Sequence, residues 1–221
     1  MTGPYIPLRV YIDEWASNNA IGSSSTKNKI CGFYYTGIWD LKIASRVGTV
    51  QTLALLDHKD ISEFGLSVCL QPTMKELEAL VINGFYDSQS NTTLQVRIIA
   101  CLGDNLGQNQ VAGILLNFSK LEHCCRKCLV SQTDMKNAED YLDIHAMYHE
   151  NRTNQMLREN FDEKEAIKRS HVNGVGHRSL FFEFPYFNIP VQLPQCSSHD
   201  YLGTNHILRI KQLHTKLSLL K

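Results

Sequence analysis

The sequence predicts an α/β fold, a mixed β-sheet with flanking helices and a helical insertion. Three β-prone runs come first, at 5–12, 30–38 and 47–56. A helical pattern then leads into the near-continuous apolar run Leu94 to Leu102, the composition of a strand buried on both faces. Beyond Cys128 charged residues crowd positions 132–169 and helical spacing replaces alternation.

Taken in order, YIPLRVYI alternates as a strand, and the adjacent acids Asp13 and Glu14 are expected to end it. Ser17 to Lys29 is rich in Asn, Ser and Gly and reads as a loop. ICGFYYTGI and VGTVQTLALL complete a three-stranded meander. Pro72 is expected at a helix start, because its missing N–H costs nothing in a first turn. The helix it opens sets Leu77, Leu80 and Val81 on one face, with Gly84 after its last turn. The strand Leu94 to Leu102 then stops at Gly103-Asp104-Asn105. Met135 to His149 and Thr153 to Lys168 read as helices with polar outer faces. Leu180 to Ile189 reads as an edge or broken strand, limited by Pro185 and Pro190. Tyr201 to Leu220 has helical apolar spacing through Leu202, Ile207, Ile210, Leu213, Leu217 and Leu220. The expected partition is a first part of the core at 1–122, a zinc-binding helical insertion at 123–170, and a return to the core with a C-terminal helix at 171–221.

The chain has 221 residues, 43% of them hydrophobic, enough for one large domain or two small ones. Its 22 basic and 22 acidic residues balance, so no field of one sign marks a DNA-binding module acting through phosphates, although a local basic face remains open. No apolar run approaches the roughly 18 residues of a membrane span, and MTGPYIPLRVYIDE lacks a basic segment followed by an apolar one. An intracellular protein with no membrane partner is expected. Of seven cysteines, Cys31, Cys69 and Cys101 sit in apolar company and read as buried thiols. Cys124, Cys125 and Cys128 have the polar neighbours His123, Arg126 and Lys127, as metal ligands do.

Two constellations carry chemistry. Asp13 follows the first strand, Asp104 the buried strand, and Asp200 precedes the last helix. Carboxylates gathered in one cleft are hard oxygen ligands for Mg²⁺ or Mn²⁺. An Asp after a strand also serves as a turn former or helix N-cap, and spacing alone does not separate these roles. Cys125 and Cys128 form a CxxC that needs two more ligands to close a zinc site. His145 and His149, four apart on one helix face, are candidates, as are His171 and His177, and Cys124 could replace either cysteine. Free thiols are the alternative. Cys196 beside His199 and Asp200 could suggest a thiol nucleophile with a base, but adjacency in sequence is not the arrangement such catalysis requires.

The order of these motifs resembles the catalytic region of CACTA (En/Spm-like) transposases and their transposase-derived relatives. The resemblance runs through Leu8-Arg-Val-Tyr-Ile-Asp13, Asn19-Ala-Ile-Gly22-Ser23, Lys29-Ile-Cys-Gly-Phe-Tyr-Tyr35 and the helix within Leu70 to Gly84. It continues through Gly103-Asp-Asn-Leu-Gly107, the CRxC form at Cys125 to Cys128, Gly174-Val-Gly176 with Ser179, and Leu193-Pro-Gln-Cys-Ser-Ser-His-Asp200. It implies a ribonuclease-H-like fold, metal-dependent attack of water or a DNA 3′-hydroxyl on phosphodiester bonds, a zinc-binding insertion, and DNA as the ancestral partner, with a nuclear location. Asp13 and Asp104 match two of the metal-binding acids. The chain departs from the family at Ala20, where the family has Pro, at Cys196, where it has Asp, and at Tyr201-Leu-Gly203-Thr204, where it has Leu-Leu-Glu-Gly. The last two changes remove the carboxylates nearest Asp200, so an impaired or inactive site is expected. Starting at the first catalytic strand and stopping soon after the third motif, the chain is expected to be a fragment or decayed copy. The alternative expectation is a non-catalytic, zinc-stabilised protein- or DNA-interaction module.

Overall fold

Alternation in the first strand sets the architecture. In the computed structural model, which describes residues 5–16, 29–38, 47–117, 120–137 and 150–194, β1 (Tyr5–Ala16) buries Leu8, Val10 and Ile12 on one face. It pairs antiparallel with β2 (Lys29–Gly37) and parallel with β5 (Thr92–Leu102), so it lies at the centre of a mixed sheet. β3 (Gln51–Asp57) and the short β4 (Phe85–Asp87) flank these strands, in the order β3-β2-β1-β5-β4. A parallel β1–β5 pair needs a crossover. The helices α1 (His58–Phe64) and α2 (Leu66–Asn83) provide it, burying Ile61, Leu66, Leu70 and Leu77.

Two expectations about element ends are corrected. β1 runs past Asp13 and Glu14 to Ala16, because Glu14 is held in place: Lys29 Nζ donates to Oε1 at 2.5 Å and His58 Nδ1 lies 2.9 Å from Oε2. Partial burial pushes the Glu14 carboxyl up, but the Lys29 hydrogen bond and the Lys29 and His58 charges outweigh it and hold the group below its usual range. Pro72 lies inside α2 rather than at its start. The helical run begins earlier because Asp57 Oδ1 accepts from Lys59 N at 2.9 Å to cap α1, and Gly65, at φ 83°, turns the chain directly from α1 into α2.

β4 covers only Thr92 to Leu94 of β5. Further along, side chains satisfy that edge: Ile98 N donates to Tyr186 Oη at 3.2 Å, and Gln192 Nε2 donates to Ile98 O and Ile99 O at 3.3 and 3.0 Å. The segment carrying them is not the expected strand. Leu180–Glu183 forms a 3₁₀ turn capped by Ser179, and Ile189–Gln192 a short helix, here α6. Phe181, Phe182, Phe184 and Phe187 are all buried, and the Phe181 and Phe187 rings stack with centroids 4.1 Å apart. A strand would send alternate rings to opposite faces, whereas tight turns gather all four into one core.

After β5 come α3 (Asn105–Ala112), α4 (Gln132–Asn137) and α5 (Asn154–Ile167). α5 agrees with the expected Thr153 to Lys168 helix, with Thr153 as its N-cap and Lys168 as its left-handed C-cap. α4 starts three residues ahead of Met135, and residues 138–149 lie outside the described residues, as does the expected C-terminal helix. Gly174 matters for packing: its φ is 81°, and a Cβ there would fall 2.1 Å from His123 O. Among the described residues no helix is long and apolar enough to cross a membrane.

Burial also makes Cys101 a pH sensor for stability. Its thiol is pushed up from 9 to about 12. Above pH 9 the unfolded chain gives up a proton that the folded chain keeps, so stability is full below that pH and falls as pH rises towards 12. The slope this thiol contributes approaches ~1.4 kcal/mol per pH unit. Urea unfolding of wild type and Cys101→Ala at pH 8, 9, 10 and 11 is expected to show a shallower alkaline decline in the variant.

Candidate active site and cysteine motif

After a register shift between Leu8 and Arg9, the parallel pairing of β1 and β5 runs in step from Arg9 and Ala100 to Tyr11 and Leu102. Asp13 and Asp104 each stand two residues further on, so they leave adjacent central strands at the same end of the sheet. Gly103 permits the close approach: a Cβ there would lie 2.7 Å from Ile12 Cγ2 and 2.8 Å from Ile12 O. The Cys31 thiol on β2 senses both acids. Burial first, then the charges of Glu14, Asp13 and Asp104, push it up to about 12.

The two carboxylates differ in their attachments. Asp104 Oδ1 accepts from Gly107 N at 2.7 Å as the N-cap of α3, so the capping alternative left open by the sequence is realised here. Its Oδ2 is free of hydrogen bonds from described residues. Asp13 is exposed, and no described residue donates a hydrogen bond to it. Two carboxylates with oxygens to spare fit a hard divalent cation, but they are only part of a ligand set. Among the described residues no three His, Cys, Asp or Glu side chains cluster as a metal site. Asp200 lies outside the described residues, as do Cys196 and His199; Pro194, six residues before Asp200, is the last described position.

The CxxC loop brings Cys125 and Cys128 into hydrogen-bond contact. That bond lowers Cys125; burial opposes it, and the Lys127 and Cys128 N–H groups and the Arg152 charge reinforce it, so the thiol is held below its usual range. The same bond, with burial and the Cys125 charge, raises Cys128. Lys127 N lies 3.4 Å from Cys125 Sγ. Cys124 is buried in the core, with its carbonyl accepting from Asn109 Nδ2 at 3.1 Å. His145 and His149 lie outside the described residues. Glu150, next to His149 in the chain, accepts from Leu129 N at 2.9 Å, and Cys128 bridges Asn151. Cys128 and Leu129 are thus held against Glu150 and Asn151 beside the cysteine pair. His171 Nδ1 is buried without a partner, and burial with the Lys164 charge lowers His177. Neither joins the cysteine pair in a group of three.

Two arginines that the sequence reading did not single out hold this region together. Arg126, buried between the cysteines, donates from Nη1 to Asn105 Oδ1 at 2.8 Å, from Nε to Leu193 O at 3.4 Å and from Nη2 to Pro194 O at 3.2 Å. Arg152, also buried, donates to Cys125 O at 2.8 Å, His123 O at 3.1 Å and Asn173 O at 2.6 Å. The one sequence signal was Arg126 itself, a long cation inside a tight cysteine loop. Arg152 gave none. No family model and no curated protein matches the chain.

Arg126→Met would remove the donor that now bonds the buried Leu193 carbonyl, the part-buried Pro194 carbonyl and Asn105 Oδ1, and is expected to lower unfolding stability by ~2–4 kcal/mol. Arg126→Lys, a point donor in place of a planar fork, should recover only part of that. Unfolding free energies of Arg126→Met, Asn105→Ala and the variant carrying both, combined with wild type as a double-mutant cycle, read the coupling directly.

Proposed function

We propose that this chain is a transposase-derived, ribonuclease-H-like domain whose ancestral reaction is metal-dependent cleavage and transfer of DNA strands. The observation that carries the reading is the parallel pairing of β1 and β5, in step from Arg9 and Ala100 onward after a register shift at Leu8/Arg9, which sends Asp13 and Asp104 out of neighbouring central strands at one sheet end. The strand order supports it: three antiparallel strands, a helical crossover, the short edge strand β4, then a strand parallel to the first. Asp13 and Asp104 would hold Mg²⁺ or Mn²⁺. Such an ion, when bound, activates a water or DNA 3′-hydroxyl and offsets charge on the leaving oxygen.

The chain's own contribution is positional. The N-cap bond to Gly107 fixes the Asp104 carboxylate, and the Asn105–Arg126–Pro194 clamp ties the loop that carries it to the segment leading towards Asp200. With Cys196 and Gly203 standing where the resembled family has acids, the third ligand falls to Asp200 alone, and weak or absent activity follows. Nicking of supercoiled DNA in Mn²⁺ is therefore expected to be at or near background for the wild type. Cys196→Asp with Gly203→Glu should raise it, and Asp13→Asn or Asp104→Asn should abolish whatever is seen. Nicking that survives both Asp substitutions would remove the nuclease reading.

A second reading has its own support: the paired thiols of Cys125 and Cys128, beside the contacts of Cys128 and Leu129 with Glu150 and Asn151, suit a soft ion such as Zn²⁺ in a non-catalytic interaction module. His145 and His149 would complete the ligands. Metal analysis of the purified chain is then expected to find about one zinc per molecule. Cys125→Ser should lose zinc and stability together, while Asp13→Asn changes neither. A chain that is metal-free and equally stable with Ser at position 125 would rule this reading out.

A further inference from the structure

A groove of about 840 Å³ opens between α2 and the segment after the Leu180–Glu183 turn, at the end of β1 and β5 remote from Asp13 and Asp104. Tyr5, Val81, Ile82, Val96, Phe184 and Tyr186 give it apolar walls. Its mouth faces water, with Ile82 61% exposed and Tyr5 45%, whereas Val96 and Phe184 are buried. Three charged side chains line it. Glu183 pairs with Arg178 at 2.6 Å. Glu78 and Arg97, both half-buried, have no ion pair with each other or with any other described residue. Arg97 is nonetheless held in place: its guanidinium lies 5.1 Å from the Tyr5 ring centroid and 5.3 Å from that of Tyr186. Ile98 N, donating to Tyr186 Oη at 3.2 Å, fixes the second ring. Rings attract the charge but leave the N–H donors of the fork for an anion. The backbone adds a third group. Ile98 turns its N–H and C=O to the outer side of β5, towards Tyr186 and Gln192, and strand alternation turns those of Val96 the same way. β4 stops at Leu94, so no described strand covers the edge at Val96.

We propose that the groove binds short, extended peptides of apolar residues with both ends free. Arg97 forks the C-terminal carboxylate, Glu78 pairs with the N-terminal ammonium, and a peptide unit between them bonds the Val96 edge. The two unpaired charges call for both ends. A fatty or aromatic acid satisfies Arg97 but sets its apolar body beside an unpaired Glu78, and an apolar amine does the reverse. The apolar walls take the peptide's side chains. The volume lies within the roughly 300–1,000 Å³ of small-ligand clefts, and a tripeptide at ~3.3 Å per residue is about 10 Å long. The groove shares no residue with the nuclease or zinc sites, so it stands or falls apart from them.

Isothermal titration of the full chain with the tripeptide Leu-Phe-Leu, its C-terminal amide and its N-acetyl form tests this. The free tripeptide is expected to bind saturably, and each blocked form at least ~10-fold more weakly, since each loses one charge-assisted contact. Arg97→Gln should bind acid and amide alike while still telling the acetylated form apart, and Glu78→Gln should do the reverse. Such ratios do not depend on how much of a variant is folded. Ile82→Ser, at the exposed mouth, should weaken all three peptides. Absence of saturable binding up to ~10 mM, both for Leu-Phe-Leu and for Phe-Val-Phe as a second probe, overturns the proposal. Equal affinity of the three forms for wild type also overturns it, as do ratios that neither Arg97→Gln nor Glu78→Gln changes.

Discussion

A buried guanidinium must find acceptors, because its five donors cannot be neutralised and are costly to strip of water unpaired. Arg126 finds them on Asn105, Leu193 and Pro194, and so adds one shared anchor to three stretches: the loop after β5, the cysteine turn and the end of the described chain. On the other side of the turn Arg152 joins Cys125 and His123 to Asn173 through Nε and Nη2, while its buried Nη1 has no partner among the described residues. Gly174 is the companion constraint, since only a residue without Cβ can sit against the His123 carbonyl that Arg152 also holds. The cysteine motif is therefore clamped from both sides, by its own Arg126 side chain on one and through the His123 and Cys125 carbonyls on the other, whatever its thiols bind.

That arrangement explains which parts of the molecule could be read from the sequence. The central strands were legible because alternation at Leu8, Val10 and Ile12 and the apolar run to Leu102 are local signals of burial. The end of β1 was not, because Glu14 is kept in the strand by partners 15 and 44 residues away. The aromatic run from Leu180 looked strand-like by composition, but its rings pack in a cluster that depends on turns at Ser179 and Asn188, each capped by its own side chain. Pro72 misled for a related reason: proline favours a first turn, yet packing of Leu66 and Leu70 against the sheet carries α2 back past it.

Of the candidate site, residue types and order were visible while the fastening was not. CxxC and Gly-Asp-Asn are short patterns. The bonds from Arg126 to carbonyls 67 and 68 residues away depend on backbone atoms that every residue shares, so no pattern of side chains announces them. The placement of Asp13 and Asp104 at one sheet end is intermediate: each acid is readable as a strand-end residue, but the shared end depends on a parallel register that local sequence does not specify.

The N-cap at Asp104 sharpens the functional question rather than answering it. A cap is a complete structural reason for an aspartate at that position, so Asp104 alone argues little for metal binding. The same bond, however, holds the carboxylate in one orientation with Oδ2 to spare, which is what a preorganised ligand requires. Asparagine caps about as well as aspartate, so Asp104→Asn keeps the helix start and removes only the charge. Asp13 has no comparable fastening: it stands exposed at the end of a central strand, without a hydrogen-bond donor among the described residues, beside a glutamate that already has two partners. A carboxylate so placed does little for the fold, and the case for chemistry at this end of the sheet rests more heavily on Asp13 than on the residue that completes the familiar motif.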